Sequence, residues 1–318
     1  MALTIDPAFA AILAAQAQAT IDAGIIAVPA RGDALALREL INPGFPDFFA
    51  QAAPAPDVSY SPHFVAGADG AEIELRWYTR GDERPGPAVV YLHGGGMICG
   101  SIEYYDPVVR QYVQWTGVPF LSVEYRLAPE FPGEIPARDG FAGLTWLLER
   151  ADQLGVDPTR LALMGDSAGG GVAAGAAILA RNAGLPAAKQ ILIYPMLDDR
   201  NTEPDPFLAP TATWNYDQNY TGWKALMGDS LGADEASSIA APARLQDFSG
   251  LAPAYIEVGV LDIFRDESIA YAQNLLKAGV DTELHVHPGA PHGHEWLDVT
   301  LPFAKRIWAD RVRAITDF

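Results

Sequence analysis

The pentapeptide Gly165-Asp166-Ser167-Ala168-Gly169 directly follows the apolar run Leu161 to Met164 and directly precedes a helix-length stretch of small residues. A serine between two such glycines at a strand-to-helix turn is a nucleophile elbow. The tight turn forces the serine into a strained backbone conformation, and side chains two positions before and after it would clash. The same turn aims a helix N-terminus at the serine, where it favours developing negative charge. A serine hydroxyl becomes a useful nucleophile only when an imidazole takes its proton and a carboxylate fixes the imidazole tautomer. In this arrangement the chain order is Ser, then Asp or Glu, then His. Asp262 lies just past the apolar run Ala254 to Val258, and His292 lies just past the last strand signal, Glu283 to His287. Asp266 is an alternative carboxylate, although its position suits a helix N-cap, and His294 is an alternative base.

Attack on an ester carbonyl creates an oxyanion, which needs preorganised donors. His93-Gly94-Gly95-Gly96 follows the run Ala88 to Leu92 without a gap. Its glycines let the N–H groups of Gly94 and Gly95 approach that oxygen, with the Ala168 N–H as a third donor. The loop lacks the Lys-Ser/Thr ending of a P-loop and the dinucleotide G-x-G-x-x-G spacing, which disfavours phosphate binding. His285, His287, His292 and His294 include His-x-His ligand spacings. No carboxylate motif accompanies them and the elbow would go unexplained, so no metal is expected. His285 and His287 share one strand face and are expected to be exposed polar residues. Cys99, the single cysteine, has nothing nearby to lower its pKa and reads as a small buried hydrophobe. Its solitude excludes an intrachain disulfide framework.

These groups need a scaffold. Ile73, Leu75 and Trp77 alternate with polar neighbours, as in a half-exposed strand. The runs 88–92, 120–123, 161–164, 191–194 and 254–258 are apolar without alternation, as expected of strands covered on both faces in a mostly parallel sheet. Helix-length segments Pro136 to Leu154 and Ala168 to Asn182 lie between them, giving a β-α-β-α succession. A further helix follows Asp266 and ends before Gly279. At the N-terminus, Asp6 and Pro7 read as N-cap and first position of an Ala-rich helix with Phe9, Ile12 and Leu13 on one side. Asp198 to Pro242 is too long for an ordinary connection between core strands. It carries Phe207, Trp214, Tyr216, Tyr220 and Trp223, which suggests a lid over a pocket, with a surface-packed helical hairpin as the alternative.

The chain has 318 residues, and its 21 Lys and Arg against 40 Asp and Glu leave a formal charge of −19. Such a surface repels phosphate backbones and anionic lipid, so neither nucleic acid nor a membrane is an expected partner. The first basic residue is Arg31 and the apolar run 7–15 is too short for a span, so a soluble cytoplasmic protein is expected.

Together the motifs resemble the hormone-sensitive-lipase-like esterases, a family of bacterial carboxylesterases within the α/β-hydrolase superfamily. The likeness runs from about Val89 to His292. It rests on His93-Gly-Gly-Gly96, Tyr125-Arg-Leu-Ala-Pro-Glu130, Gly165-Asp-Ser-Ala-Gly-Gly170, Asp262 through Asp266-Glu267, and His292-Gly293. It implies an eight-stranded, mostly parallel α/β-hydrolase sheet with a helical cap, and a cofactor-free ester hydrolase. By resemblance Ser167, Asp262 and His292 form the triad, and Gly94, Gly95 and Ala168 the oxyanion hole. The cap would comprise residues 1–50 and 198–240, and the core 51–197 and 241–318. Two positions depart from the family: His294 stands where Phe is usual, and Met97 where an aromatic residue is usual. Both are expected near the acyl or alcohol pocket, with Trp214 and Tyr216 from the lid. The substrate class is a small-molecule ester: short- to medium-chain acyl, aryl or lactone, with amide or carbamate as an alternative. Some members are receptors that have lost the His, and the presence of His292 argues against that reading. The edge near Thr282 to His287 is where such folds commonly dimerise.

Overall fold

The computed structural model describes residues 4–22, 29–81, 86–185 and 187–318. Eight strands form one sheet: β1 (Ser59–Ala66), β2 (Glu72–Thr79), β3 (Gly86–Leu92), β4 (Phe120–Val123), β5 (Val156–Asp166), β6 (Lys189–Ile193), β7 (Ala254–Gly259) and β8 (Thr282–His287). Their order is β1-β2-β4-β3-β5-β6-β7-β8. β2 runs antiparallel to β1 and β4, and every later pairing is parallel. The central strands β4 and β7 are buried along their whole length, because helices cover both faces of the sheet. Parallel pairing sends every crossover through a helix and leaves the carboxyl ends of β3, β5, β7 and β8 on one rim.

Ten α-helices are described: α1 (Pro7–Asp22), α2 (Ala34–Ile41), α3 (Phe45–Phe48), α4 (Asp106–Thr116), α5 (Ile135–Glu149), α6 (Ala151–Leu154), α7 (Ala168–Asn182), α8 (Tyr216–Met227), α9 (Arg265–Lys277) and α10 (Pro302–Thr316). α5 and α7 pack on each other and on the central strands, α4 packs against β2, β4 and α10, and α9 lies on β7 and β8. Asp6 accepts from the Ala8 N–H at the start of α1, and Phe9 buries against Ala290 and Leu297. Of the N-terminal segment 1–50, residues 1–3 and 23–28 lie outside the described residues.

The N-terminal segment and the 198–242 insertion meet above the rim. The Gly32 N–H donates to Thr221 Oγ1 at 2.9 Å, and Arg31 pairs with Asp217 while lying over the Tyr220 ring. The insertion is itself tied down at its root. Glu267, buried in α9, accepts from the Leu197 N–H at 2.6 Å and from Asn201 Nδ2 at 2.8 Å. Burial pushes the Glu267 carboxyl well above the usual range.

Two expectations are corrected. Asp266 is not a helix N-cap: α9 starts one residue earlier, at Arg265, with Phe264 in the cap position and no capping side chain. Asp262 has already turned the chain by accepting from the Phe264 N–H at 2.9 Å, and Asp266 sits exposed in an ion pair with Arg265. His285 and His287 are half-buried, not exposed, because rings pack over β8: Tyr255 on His285, Phe303 and His294 on His287.

Candidate active site

Ser167 occupies the turn between β5 and α7 with φ 57° and ψ −120°, a conformation that side-chain-bearing residues rarely adopt. The flanking glycines make the turn possible. A Cβ on Gly165 would run into the Gly169 carbonyl, and one on Gly169 into the Leu92 and His93 carbonyls. The elbow is therefore packed against the end of β3, which brings Gly94 beside the serine.

Ser167 Oγ lies 3.0 Å from His292 Nε2, and His292 Nδ1 lies 2.7 Å from Asp262 Oδ2. A carboxylate can only accept, so Nδ1 carries the proton and Nε2 is the atom turned to the serine. Asp262 is fully buried and is held by the Phe264 N–H on its other oxygen. The imidazole is packed edge-on against Tyr194, at 4.6 Å, and Phe264, at 5.1 Å. The insertion reaches this residue too, since Thr213 Oγ1 donates to the His292 carbonyl at 2.7 Å.

On the opposite side, His93 donates from Nδ1 to the Gly94 carbonyl at 2.8 Å and stacks on Tyr125 at 4.3 Å. Burial pushes the His93 pKa down to about 4, so the ring is a neutral brace for the glycine loop. Gly95 has φ 122°, and a Cβ there would strike the Cys99 carbonyl. Ala168 is the first residue of α7, where backbone N–H groups have no partner inside the helix. Cys99 is buried, and burial pushes its thiol up to about 12, which leaves it inert.

Ser167, His292, Gly95 and Gly96 line a cleft of about 370 Å³ whose walls are aromatic: Phe45, Phe48 and Phe49 from the N-terminal segment, Trp214 from the insertion, and Tyr105, Tyr194 and Trp296 from the core. Trp214 stands directly over Gly96. Asp166 lies at the base, with one oxygen accepting from the Tyr91 hydroxyl at 2.8 Å; burial pushes its pKa up to about 7.

Three residues expected at the pocket lie elsewhere. Met97, at φ 62°, turns its side chain under α7 towards Gly171. Tyr216 is buried beside Asp205 and Arg265, outside the cleft. His294 is fully buried one layer behind the cleft, against Tyr194 and Phe303. Tyr194 was not foreseen from the sequence: just past β6, at φ 35°, its ring packs on His292. Nor was the ion cluster beneath it, in which Tyr194 donates to Glu295 at 2.7 Å and Arg311 of α10 pairs with both Glu295 and Glu257. Burial opposes ionisation of Glu295, but Arg311 holds its pKa down to about 2. The signal for Tyr194 was its place at a carboxyl strand end; Arg311 left none.

A parallel sheet with an elbow serine on its rim, hydrogen-bonded through a histidine to a buried aspartate, defines an α/β hydrolase. A family model described as alpha/beta hydrolase fold matches residues 89–295. The chain is 37% identical to Carboxylesterase NlhH of Mycobacterium tuberculosis over 252 residues, covering 76% of this chain and 77% of that protein. It is 34% identical to the ethyl acetate hydrolase of Pseudomonas putida, covering 70% and 72%. Among solved structures, Bacterial Heroin Esterase superposes with a TM-score of 0.87 at 34% identity over 98% of this chain and 97% of the other. The chain belongs to the hormone-sensitive-lipase-like carboxylesterase family and is a serine carboxylesterase. Among the described residues no helix is long and apolar enough to cross a membrane.

Proposed function

We propose that this esterase cleaves uncharged carboxylic esters of modest size through a Ser167–His292–Asp262 triad and an acyl-enzyme on Ser167. The observation that carries the reading is the row of hydrogen bonds, 3.0 Å and 2.7 Å long, at the floor of an aromatic cleft. His292 Nε2 takes the Ser167 proton as Oγ adds to the ester carbonyl. The oxyanion is met by the N–H groups of Gly94, Gly95 and Ala168. His292 then returns the proton to the departing alcohol, and Asp262 stabilises the imidazolium between these steps. Water, deprotonated by His292, adds to the acyl-enzyme; the carbonyl carbon–Oγ bond then breaks, His292 returns the proton to Ser167 Oγ, and the acid is released.

The cleft walls favour short- to medium-chain acyl, aryl or lactone esters. Relatives named for ethyl acetate and heroin support ester substrates of this scale. Segments 1–50 and 198–240 serve as the two pieces of one cap, joined through Gly32 and Thr221. β8, the last strand of the sheet, is the edge through which we propose self-association. The test is fluorophosphonate labelling followed by a kcat/KM profile across acyl lengths and alcohol types. Labelling at Ser167, lost in Ser167→Ala, with efficiency collapsing beyond medium chains, is the expected result. An unlabelled Ser167 in folded protein would mean a binding protein; preference for long-chain emulsions would mean a lipase.

A further inference from the structure

Behind the cleft, three ligand-type side chains converge that the hydrolytic mechanism does not use. We propose that Glu257, His287 and His294 form a binding site for a divalent transition-metal ion of the zinc class. Their ligand atoms all lie within 4.8 Å of one another. The sheet register explains the first two. Gly259 is paired with His287 across β7 and β8, so Glu257, two residues earlier, projects from the same face. His294 reaches them from the loop after β8, turned by Gly293 at φ 67°.

The hydrogen bonding of His294 is that of a metal ligand. Its Nδ1 donates to the Pro291 carbonyl at 2.8 Å, which fixes the tautomer and leaves a lone pair on Nε2. The ring is fully buried, and neither its Nε2 nor that of His287 has a hydrogen-bond partner among the described residues. Two buried, partnerless imidazole nitrogens side by side are costly unless something fills the space between them.

The carboxylate is held in place from behind. Arg311 is shared by Glu257 and Glu295, and Glu257 Oε2 accepts from the Tyr255 hydroxyl at 2.6 Å. Two histidines and a carboxylate form a recurrent zinc donor set, with water as fourth ligand. Donors at zinc-bond length stand about 3.4 Å apart in a tetrahedron, so the three groups need to close by at most about 1.4 Å. His287 lies on the edge strand, with a neighbouring strand on one side only. The carboxylate comes from β7 and is brought in by topology, so no local motif announces it.

An ion here would not touch the ester. The Tyr194 ring lies between, 5.9 Å from His294 and 4.6 Å from His292. It would clamp β7, β8 and the loop that carries His292, acting as a positioning element.

The experiment uses untagged full-length protein stripped with a chelator. ZnCl2 is titrated calorimetrically at neutral pH, CoCl2 is followed by visible absorption, and Tm is read with and without Zn²⁺. The expected result is one tight equivalent of Zn²⁺, a raised Tm, and the intense visible bands of four-coordinate Co²⁺. His294→Phe and His287→Gln should each weaken binding by roughly 100-fold or more, since even outer-shell losses cost 10–100-fold. No stoichiometric binding by the wild type would overturn the proposal. So would wild-type affinity in both variants, which would place the metal on surface carboxylates. If His294→Phe does not fold, His287→Gln decides alone.

Discussion

Asp262→Asn tests the proposed mechanism most sharply, because the structure dictates which way the new amide must face. Asp262 Oδ1 accepts from the Phe264 N–H at 2.9 Å, and Oδ2 accepts from His292 Nδ1 at 2.7 Å. In the variant the amide oxygen stays with the Phe264 N–H, so the NH₂ group meets Nδ1. That nitrogen must then accept, which moves the imidazole proton to Nε2, where it blocks deprotonation of Ser167. Flipping the amide restores the productive tautomer but opposes two donors in a buried site, at about 1–3 kcal/mol. The lost charge-assisted bond to the imidazolium adds about 1.5–3 kcal/mol. Together these raise the barrier by about 2.5–6 kcal/mol, a fall in kcat of about 10²–10⁴. The assay is steady-state hydrolysis of p-nitrophenyl butyrate, with circular dichroism and Tm to establish that the isosteric variant is folded. Asp266→Asn, at an exposed ion pair, should stay within about twofold of wild type. A folded Asp262→Asn enzyme with kcat within tenfold of wild type would refute the reasoning.

Gly94→Ala places a Cβ 2.6 Å from the Tyr105 hydroxyl and 3.4 Å from Ser167 Cβ, displacing the glycine loop. Its kcat should drop by about 10²–10³ with fluorophosphonate labelling slowed in parallel; unchanged rates would remove Gly94 from the oxyanion hole. Trp214→Ala should raise KM for aryl esters about tenfold, the worth of one aromatic contact of about 1.5 kcal/mol, with little change in kcat; an unchanged KM would exclude Trp214 from substrate contact. Asp166 gives a pH signature. Its folded pKa of about 7 exceeds the ordinary aspartate value of 3.8, so the native state binds the extra proton and stability falls as pH rises between about 4 and 7. Over that window the loss reaches about 4 kcal/mol in order of magnitude. Asp166→Asn should lose correspondingly less between pH 5 and pH 8 in urea unfolding; equal losses in both proteins would contradict the assignment.

The core strands were legible because a strand buried on both faces must be an unbroken apolar run, as in Ala88 to Leu92 and Ala254 to Val258. β1 was not, since it is an edge strand, mostly exposed, with Pro62 in its middle. The elbow and the glycine loop could be read because backbone crowding demands glycine there whatever the neighbours are. Local spacing could not say where side chains point. Met97 and His294 each lie next to a motif residue, yet Met97 turns under α7 and His294 lies behind Tyr194. The aromatic wall from Phe45 to Phe49 was likewise invisible, because its meeting with Trp214 depends on how the N-terminal segment crosses the rim. Asp166 and Arg311 matter through burial and long-range pairing, for which the chain carries no local pattern.

The position of Arg311 also bears on how the enzyme is made. It is the last of the ion cluster in sequence, supplied by α10, which follows Ser167, Asp262 and His292 in the chain. Until it docks, Glu257 and Glu295 have no guanidinium between them, and two unpaired carboxylates resist burial beneath Tyr194. Tyr194 in turn is the surface on which His292 rests. On the proposed reading, the support beneath His292 is therefore complete only once α10 has docked, although every other member of it precedes α10 in the chain.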